Sequence, residues 1–531
     1  MPSRGFFLFI HRVFSSMKRL FFRAGLPCAL LLQAGCTGSL APDSFEDTPS
    51  RSYSKLWGRD GELWLRAGRL PDFSFAGYRS GERPVPDYPV AASVATYGAK
   101  GDDDVDDTAA FQAALAATKS GAIQIPPGRY IISGVLRIIR PGVVLRGSGV
   151  DRTTLFFPKP LEDIEPDSGE TTSGQPTSNY SWSGGFVRLQ GSLGGKVLTA
   201  ITARARRGDQ SIEVGQADSL TAGQYVEIFQ ADTANNSLAL HLYSDDADDV
   251  SNLKGKTTAS LVSKIIRIEG KRVELERDLR FDLRPEWRPV VRSFAPTVQD
   301  SGVEDLTFEF PPIPYAGHFT EKGFNPVAFA GVANCWARRL KFVNPDSGPM
   351  VGGAFNTVSD VVFESNREPD KNGQQGHHGI YLQSLGDHLF TRFDIRLRFV
   401  HDITVSKCAG VVVSQGKGVD LCFDQHKRAP YETLFTSIDL GRGTRPWKSG
   451  GGQLLGKNGG ARTTFWNLQA AGPLPEPPKN YAPWSLNLVG VDLGRPQVLD
   501  PAGVWREVVP AGALYPPDLH ASQLSRRLSE R

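Results

Sequence analysis

Six of the nine histidines of this 531-residue chain, His318, His377, His378, His388, His401 and His426, crowd between positions 318 and 426. The other three, His11, His241 and His520, are scattered. Imidazoles change protonation near neutral pH and serve as general bases and acids. Three segments carry most of the reactive side chains. GHHGIYLQ (Gly376–Gln383) offers His377, His378 and Tyr381. HDITV (His401–Val405) offers His401 and Asp402. DQHKRAPYETLFT (Asp424–Thr436) offers Asp424, His426, Lys427, Arg428 and Tyr431. The Gly-rich GRGTRPWKSGG (Gly441–Gly451) adds Arg442, Arg445, Trp447 and Lys448, and GHFTEKGFN (Gly317–Asn325) adds His318, Glu321 and Lys322 as the edge of a groove.

This set matches what β-elimination of a uronate demands. A carboxylate must be neutralised so that the C5 proton becomes acidic, a base must take that proton, and the leaving glycosidic oxygen must be protonated. His378 or His426 is expected as base, Arg428 and Arg445 as carboxylate clamps and Tyr431 as proton donor. His377, Tyr381, His401, Arg445, Trp447 and Lys448 would hold the substrate, the indole stacking on a pyranose and the arginine pairing with a carboxylate. A hydrolase is the rival. It needs two carboxylates about 5–9.5 Å apart, and Asp402 with Asp420, or Asp424, are the candidates. A non-catalytic glycan binder is the third reading. No cofactor and no metal is expected from these residues. A Ca²⁺ variant would need an oxygen-rich cluster, to which Asp346, Asp360 and Glu364 could contribute.

Residues far apart in sequence meet in one groove if the chain coils in parallel rungs about 4.8 Å apart. From Asp300 onward the sequence repeats one motif: GVEDLTFEF, CWARRLKFVN, NTVSDVVFES, HLFTRFDIR, HDITVSKC, GVDLCFDQH, ETLFTSIDLG and TTFWNLQA. Leu306, Leu340, Val361, Ile403, Leu421 and Leu434 are read as equivalent points, with a further strand near Leu389. Single coils cannot bury their apolar faces alone, so stacking makes the core.

The start of the coil is written in residues 89–149. An apolar run (Ser93–Tyr97) leads into an Asp-rich turn, then a short helix with Ala110, Phe111, Ala114 and Leu115 on one face, capped by Asp106 or Asp107. Short strands follow at Ala122–Ile125, Tyr130–Ile132, Val135–Ile139 and Val143–Leu145. The aspartates from Asp102 to Asp107 are read as turn and cap residues. The blocks TYGAKGDDDVDDTAAFQAAL, IPPGRYII and VVLRGSG closely resemble the opening of the pectate lyase superfamily. The resemblance implies an all-β, single-stranded right-handed parallel β-helix with an N-terminal capping helix. That superfamily includes lyases, hydrolases, epimerases and phage tailspikes. Gly376–Gly379 also resembles the Gly-His-Gly of polygalacturonase-type hydrolases, without the Asn-x-Asp, Asp-Asp and Arg-x-Lys blocks in order.

The expected organisation is a lipoprotein signal peptide (1–35), a tether and lead-in (36–88), first coils with the helix (89–193), a β-rich insertion (194–296), the main coils (297–500) and a tail (501–531). Residues 1–35 hold Arg4, Arg12, Lys18, Arg19 and Arg23, no acid, and an apolar run ending at Ala-Gly-Cys. This pattern resembles a bacterial lipobox with Cys36 as the lipidated residue, and Met17 is an alternative start. Export to the cell envelope, anchored in the membrane through Cys36, is the implied location. Without those five charges the net +3 becomes −2, which gives no reason to expect a nucleic-acid partner. An acidic polysaccharide is the expected partner. Of five cysteines, Cys335, Cys408 and Cys422 lie in apolar runs and are read as interior thiols.

Overall fold

The computed structural model describes residues 51–531 apart from 172, 511 and 531. The expected signal peptide, with Met17 and Cys36, falls outside the described residues. The remainder is a right-handed parallel β-helix. One flank is a seven-stranded sheet. Its last rungs are Val327–Ala330, Met350–Val351, Gly376–Gln383, Phe399–Ser406 and Phe423–Gln425. The other flanks belong to a 14-stranded sheet whose long strands include Gly302–Glu309, Trp336–Val343, Thr357–Glu364 and Leu389–Ile395.

The long strands bend because each contains one residue in the left-handed conformation: Asp305, Arg339, Asp360, Arg392, Gln415, Ser437 and Asn467. These residues occupy the gaps in the register, between rows such as Glu304–Arg338 and Leu306–Leu340. They stack into a column on the outside of the corner. Arg339 pairs with Asp305 at 2.5 Å, and Arg392 with Asp360 at 2.6 Å. Inside, phenylalanines fill the coil at successive levels, as in Phe308–Phe342 and Phe342–Phe363, with ring centroids 5.7 and 4.9 Å apart. Such offset contacts add to area burial. Cys335, Cys408 and Cys422 are buried free thiols.

The opening segment departs from expectation in the place of its first strand. The strand lies at Val90–Ser93, and Val94–Tyr97 is a 3₁₀ turn whose backbone donor Ala95 is capped by the Ser93 hydroxyl. The helix spans Thr108–Ala117; of the two expected caps, Asp106 accepts its first amide, that of Thr108, while Asp107 turns its carboxylate to the Lys100 amide. Burial of Phe111, Ala114 and Leu115 then closes the first coil. The expected equivalence of Ile403, Leu421 and Leu434 with the Leu306 column also fails, Leu434 lying in the row of Val412 and Leu389. Leu306, Leu340, Val361 and Phe393 do share one row, whereas Ile403 pairs with Ile380 and Phe423 on the other sheet. Both sheets present the same apolar alternation inward, so periodicity cannot separate them.

The insertion folds as a six-stranded antiparallel sheet between Gly194 and Phe294. It is docked on the coil. Ala409, Ala429, Tyr431 and Ala461 of the coil share one apolar cluster with Phe281, Leu283 and Trp287 of the insertion. Buried ion pairs fasten the same seam. Asp387 takes Arg277 and Arg280, and Glu432 takes Arg207, Arg280 and Arg462. The lead-in aromatics pack on the outer wall: Trp57, Leu70 and Phe73 cluster with Val412, Leu434 and Trp466. The C-terminal helix Leu519–Ser529 runs along that wall too, Gln523 bonding Phe73 N and Pro71 O.

Candidate functional site

The seven-stranded sheet stacks the three reactive segments on consecutive rungs. Register places His378 beside His401, and Tyr381, Thr404 and Asp424 in one row. His318 joins from the loop after Gly302–Glu309. The imidazoles form a contiguous cluster. His377 and His378 stack at 3.9 Å, His378 and His401 at 5.2 Å, and His318 and His377 meet edge to face at 4.4 Å. His426 stands 5.6 Å from His401.

Asp424 is the anchor. Its Oδ2 accepts from Thr404 Oγ1 at 3.1 Å and contacts His426 Nδ1 at 2.8 Å and His401 Nδ1 at 3.3 Å. Its Oδ1 accepts the Gly450 amide at 2.7 Å. Burial opposes its charge, but His401, His426 and these donors hold its carboxyl down to about 2. The bond to His426 Nδ1 fixes that ring's proton there and leaves its Nε2 lone pair free, whereas His401 Nδ1 faces the same oxygen without a hydrogen bond. Thr404 spends its hydroxyl proton on Asp424, so its oxygen accepts from His378 Nδ1 at 2.8 Å. His378, Thr404 and Asp424 thus form one chain.

A second carboxyl backs His377. Glu321 Oε2 lies 3.6 Å from His377 Nδ1, and both atoms lack a hydrogen-bond partner. Burial lifts Glu321 to about 7 and pushes His377 well below the usual imidazole range. Tyr315 donates to the other Glu321 oxygen at 2.5 Å. On its far side, His377 Nε2 lies 2.9 Å from His318 Nε2. Desolvation, and then neighbouring positive charge, lowers His318, and burial lowers His401, each to about 4. Among the described residues, two sets of three ligating atoms lie within 4.8 Å of one another: His318, His377 and His401, and His401, Asp424 and His426.

Of the residues singled out in the sequence, His377, His378, Tyr381, His401, Asp424 and His426 come together here. Tyr381 sits 5.1 Å from His378 and 6.4 Å from His426 between ring centroids. The charge of Lys448 acts on His318 and His401, and that of Arg428 on Tyr381. Neither cation has a side-chain ion pair among the described residues.

Several expectations are corrected by the geometry. Arg445 is no free clamp: it donates to Asp402 at 2.7 Å, to the Asp420 carbonyl at 2.9 Å and to the Phe399 carbonyl at 3.0 Å. Asp402 is therefore committed, accepting also from Cys422 N and Phe399 N, and Asp420 accepts Thr444 N and Oγ1. Trp447 is in the core, its indole donating to the Pro475 carbonyl, so it offers no face to a sugar. Tyr431 lies buried on the insertion side, its ring 6.4 Å from Phe281. His388, outside the cluster, bonds the Gln383 carbonyl and the Asn356 amide within the coil. Asp346 is tied to Arg367, Asp360 to Arg392 and Glu364 to Lys341, so each serves an ion pair of its own. Thr404 and Gly450 were not read from the sequence. Thr404 was legible only through the alternation in HDITV, and Gly450 acts through its backbone.

Residues 91–165 match the family described as Rhamnogalacturonase A/epimerase, pectate lyase-like. No curated protein matches the chain in sequence. Similar solved structures include the tailspike gp61 of Pseudomonas phage phi297, 11% identical, covering 78% of this chain and 76% of its own, TM-score 0.30. An exopolygalacturonase from Thermotoga maritima is 9% identical, with 77% and 82% covered and a TM-score of 0.32. The mannuronan C-5 epimerase AlgE4 A-module of Azotobacter vinelandii is 13% identical, with 75% and 81% covered and a TM-score of 0.27. Likeness at this level assigns no activity. The resemblance read at Thr96–Gly149 stands, and a pectate-lyase-like opening heads this right-handed parallel β-helix.

Proposed function

We propose that the protein acts on an acidic polysaccharide and cleaves it by β-elimination, with His426 as base. The observation that supports this most is the Asp424–His426 pair. Its 2.8 Å contact sets the proton on Nδ1 and frees Nε2, on the one imidazole of the Asp424 network that keeps a partly exposed side chain. In this reading His426 Nε2 takes the C5 proton of a uronate. The electron pair forms the C4–C5 double bond as the C4–O bond breaks. Tyr381, whose phenol burial keeps protonated, gives its proton to the departing oxygen and regains one from solvent. Lys448 and Arg428 offset the substrate carboxylate. The rival pair of carboxylates is disfavoured by position, because Asp402 and Asp420 both lie under Arg445.

The test is a panel of acidic polysaccharides incubated with the protein, following unsaturated-uronate absorbance and reducing ends together. A rise in both, abolished by His426→Ala, is expected. Reducing ends without absorbance would show hydrolysis and overturn the elimination. Retained binding without any product would make the protein a glycan binder.

A further inference from the structure

The Asp424–His426 pair does not use His318 and His377, and these two close on His401. Their Nε2 atoms are 2.9 Å apart, and the three ligating nitrogens fall within 4.8 Å of one another. Two metal–nitrogen bonds of about 2.0–2.1 Å at the tetrahedral angle put ligand atoms roughly 3.3 Å apart. Behind two of the rings stands a carboxyl on the Nδ1 side: Glu321 at 3.6 Å from His377, and Asp424 at 3.3 Å from His401. A carboxyl behind an imidazole is the arrangement that orients a histidine ligand and raises its basicity. His377 Nδ1, His401 Nδ1 and Glu321 Oε2 are all buried without a hydrogen-bond partner. Their residues are only 2%, 4% and 3% exposed, too deep for bulk water to satisfy them. Closing the two carboxyl contacts would hold the protons of His377 and His401 on Nδ1 and leave their Nε2 atoms free to bind an ion.

We propose that His318, His377 and His401 form a three-nitrogen site for a divalent transition-metal ion of the zinc type, with one position open to the groove. Imidazole ligands select such ions over Ca²⁺ and Mg²⁺, which take oxygen. His318 is the exposed member, so the open position lies on its side. The ion would bind a substrate oxygen beside His426; that role, unlike the site itself, rests on the elimination reading.

The experiment strips the purified full chain with a chelator and titrates it with zinc chloride by calorimetry, without substrate. One ion per chain is expected. Cobalt(II) in place of zinc should give the visible absorption of a four-coordinate site. His318→Ala, at an exposed position that leaves folding intact, and His377→Gln should each weaken binding at least 100-fold. Glu321→Gln should weaken it about 10-fold, and His426→Ala by no more than a few-fold. Absence of stoichiometric zinc binding by the wild-type chain overturns the proposal. So does loss of binding in His426→Ala with retention in His318→Ala, which would place the ion on Asp424 and His426. Zinc binding without activity on any uronan would leave the site standing and sink the elimination instead. Cleavage unaffected by chelation, with no zinc bound, would do the reverse.

Discussion

Replacing Asp387 with asparagine tests how the insertion is held to the coil. Asp387 takes Arg277 through two contacts of 2.8 and 2.9 Å and Arg280 through one of 2.5 Å. All three side chains are 4–6% exposed. Despite its burial, the two guanidinium groups hold the carboxyl below its usual range. The residue has φ 51°, a conformation asparagine also tolerates, so the change removes charge without adding backbone strain. It leaves Arg277 with the Val262 carbonyl and Arg280 with Glu432 at 3.4 Å. Breaking a buried pair from one side costs about 3–5 kcal/mol. The loss should appear where the arginines reside. Amide exchange in Tyr225–Ala231 and Thr258–Glu269 should quicken by about 10²-fold or more, while Thr357–Glu364 of the coil stays protected. Exchange in the insertion within threefold of wild type, or a gain in stability, would refute the reasoning. The attraction would then only balance the desolvation of the three groups.

Asp424→Asn should lower turnover on the active polysaccharide by roughly 10³–10⁴-fold, the effect of losing the carboxylate that fixes a catalytic tautomer; steady-state kinetics checks it. Trp447→Ala should cost about 3–5 kcal/mol by urea denaturation, because it empties a core position, whereas a sugar-stacking tryptophan would lose substrate affinity and keep its stability. His388, pushed down to about 4 by burial, binds fewer protons folded than unfolded between pH 6.5 and 4. Its contribution is therefore complete above pH 6.5 and is lost as pH falls, about 3 kcal/mol by pH 4. His388→Gln should flatten the fall in denaturation midpoint across that window.

The parts of the fold that depend on neighbours in sequence were legible. The Pro-Gly turn before Gly128–Ile131, the Asp102 and Asp106 turns and the short helix all follow from local chemistry. Repeated strand motifs implied stacked rungs, and stacking alone brings His378 to His401. The GRGTRPWKSGG segment misled because glycines and cations are also what an open surface loop contains. Only the fold shows that Arg445 reaches back to Asp402 and that Trp447 meets Phe465 at 5.0 Å. Tyr431 misled for the opposite reason. Its neighbours His426 and Arg428 face the cluster side, while the chain turns through left-handed Lys427, Arg428 and Ala429 and delivers Tyr431 to the insertion. No residue in the Asp424–Thr436 segment announces that its partner is Phe281.

The corner column of Asp305, Arg339, Asp360 and Arg392 restricts how this protein can change length. Loss of the one coil carrying Arg339 would set Asp305 against Asp360, and loss of the next would set Arg339 against Arg392. Facing like charges on adjacent strands are destabilising. Coils in this stretch can be duplicated or deleted only two at a time without breaking the alternation. Past Arg392 the column continues as Gln415, Ser437 and Asn467, and carries no charge. There the column sets no alternation, and the histidine site fixes the coils instead, since those bearing Gln415 and Ser437 also carry His401, Asp424 and His426; lineages of this protein should therefore differ by even steps before Arg392.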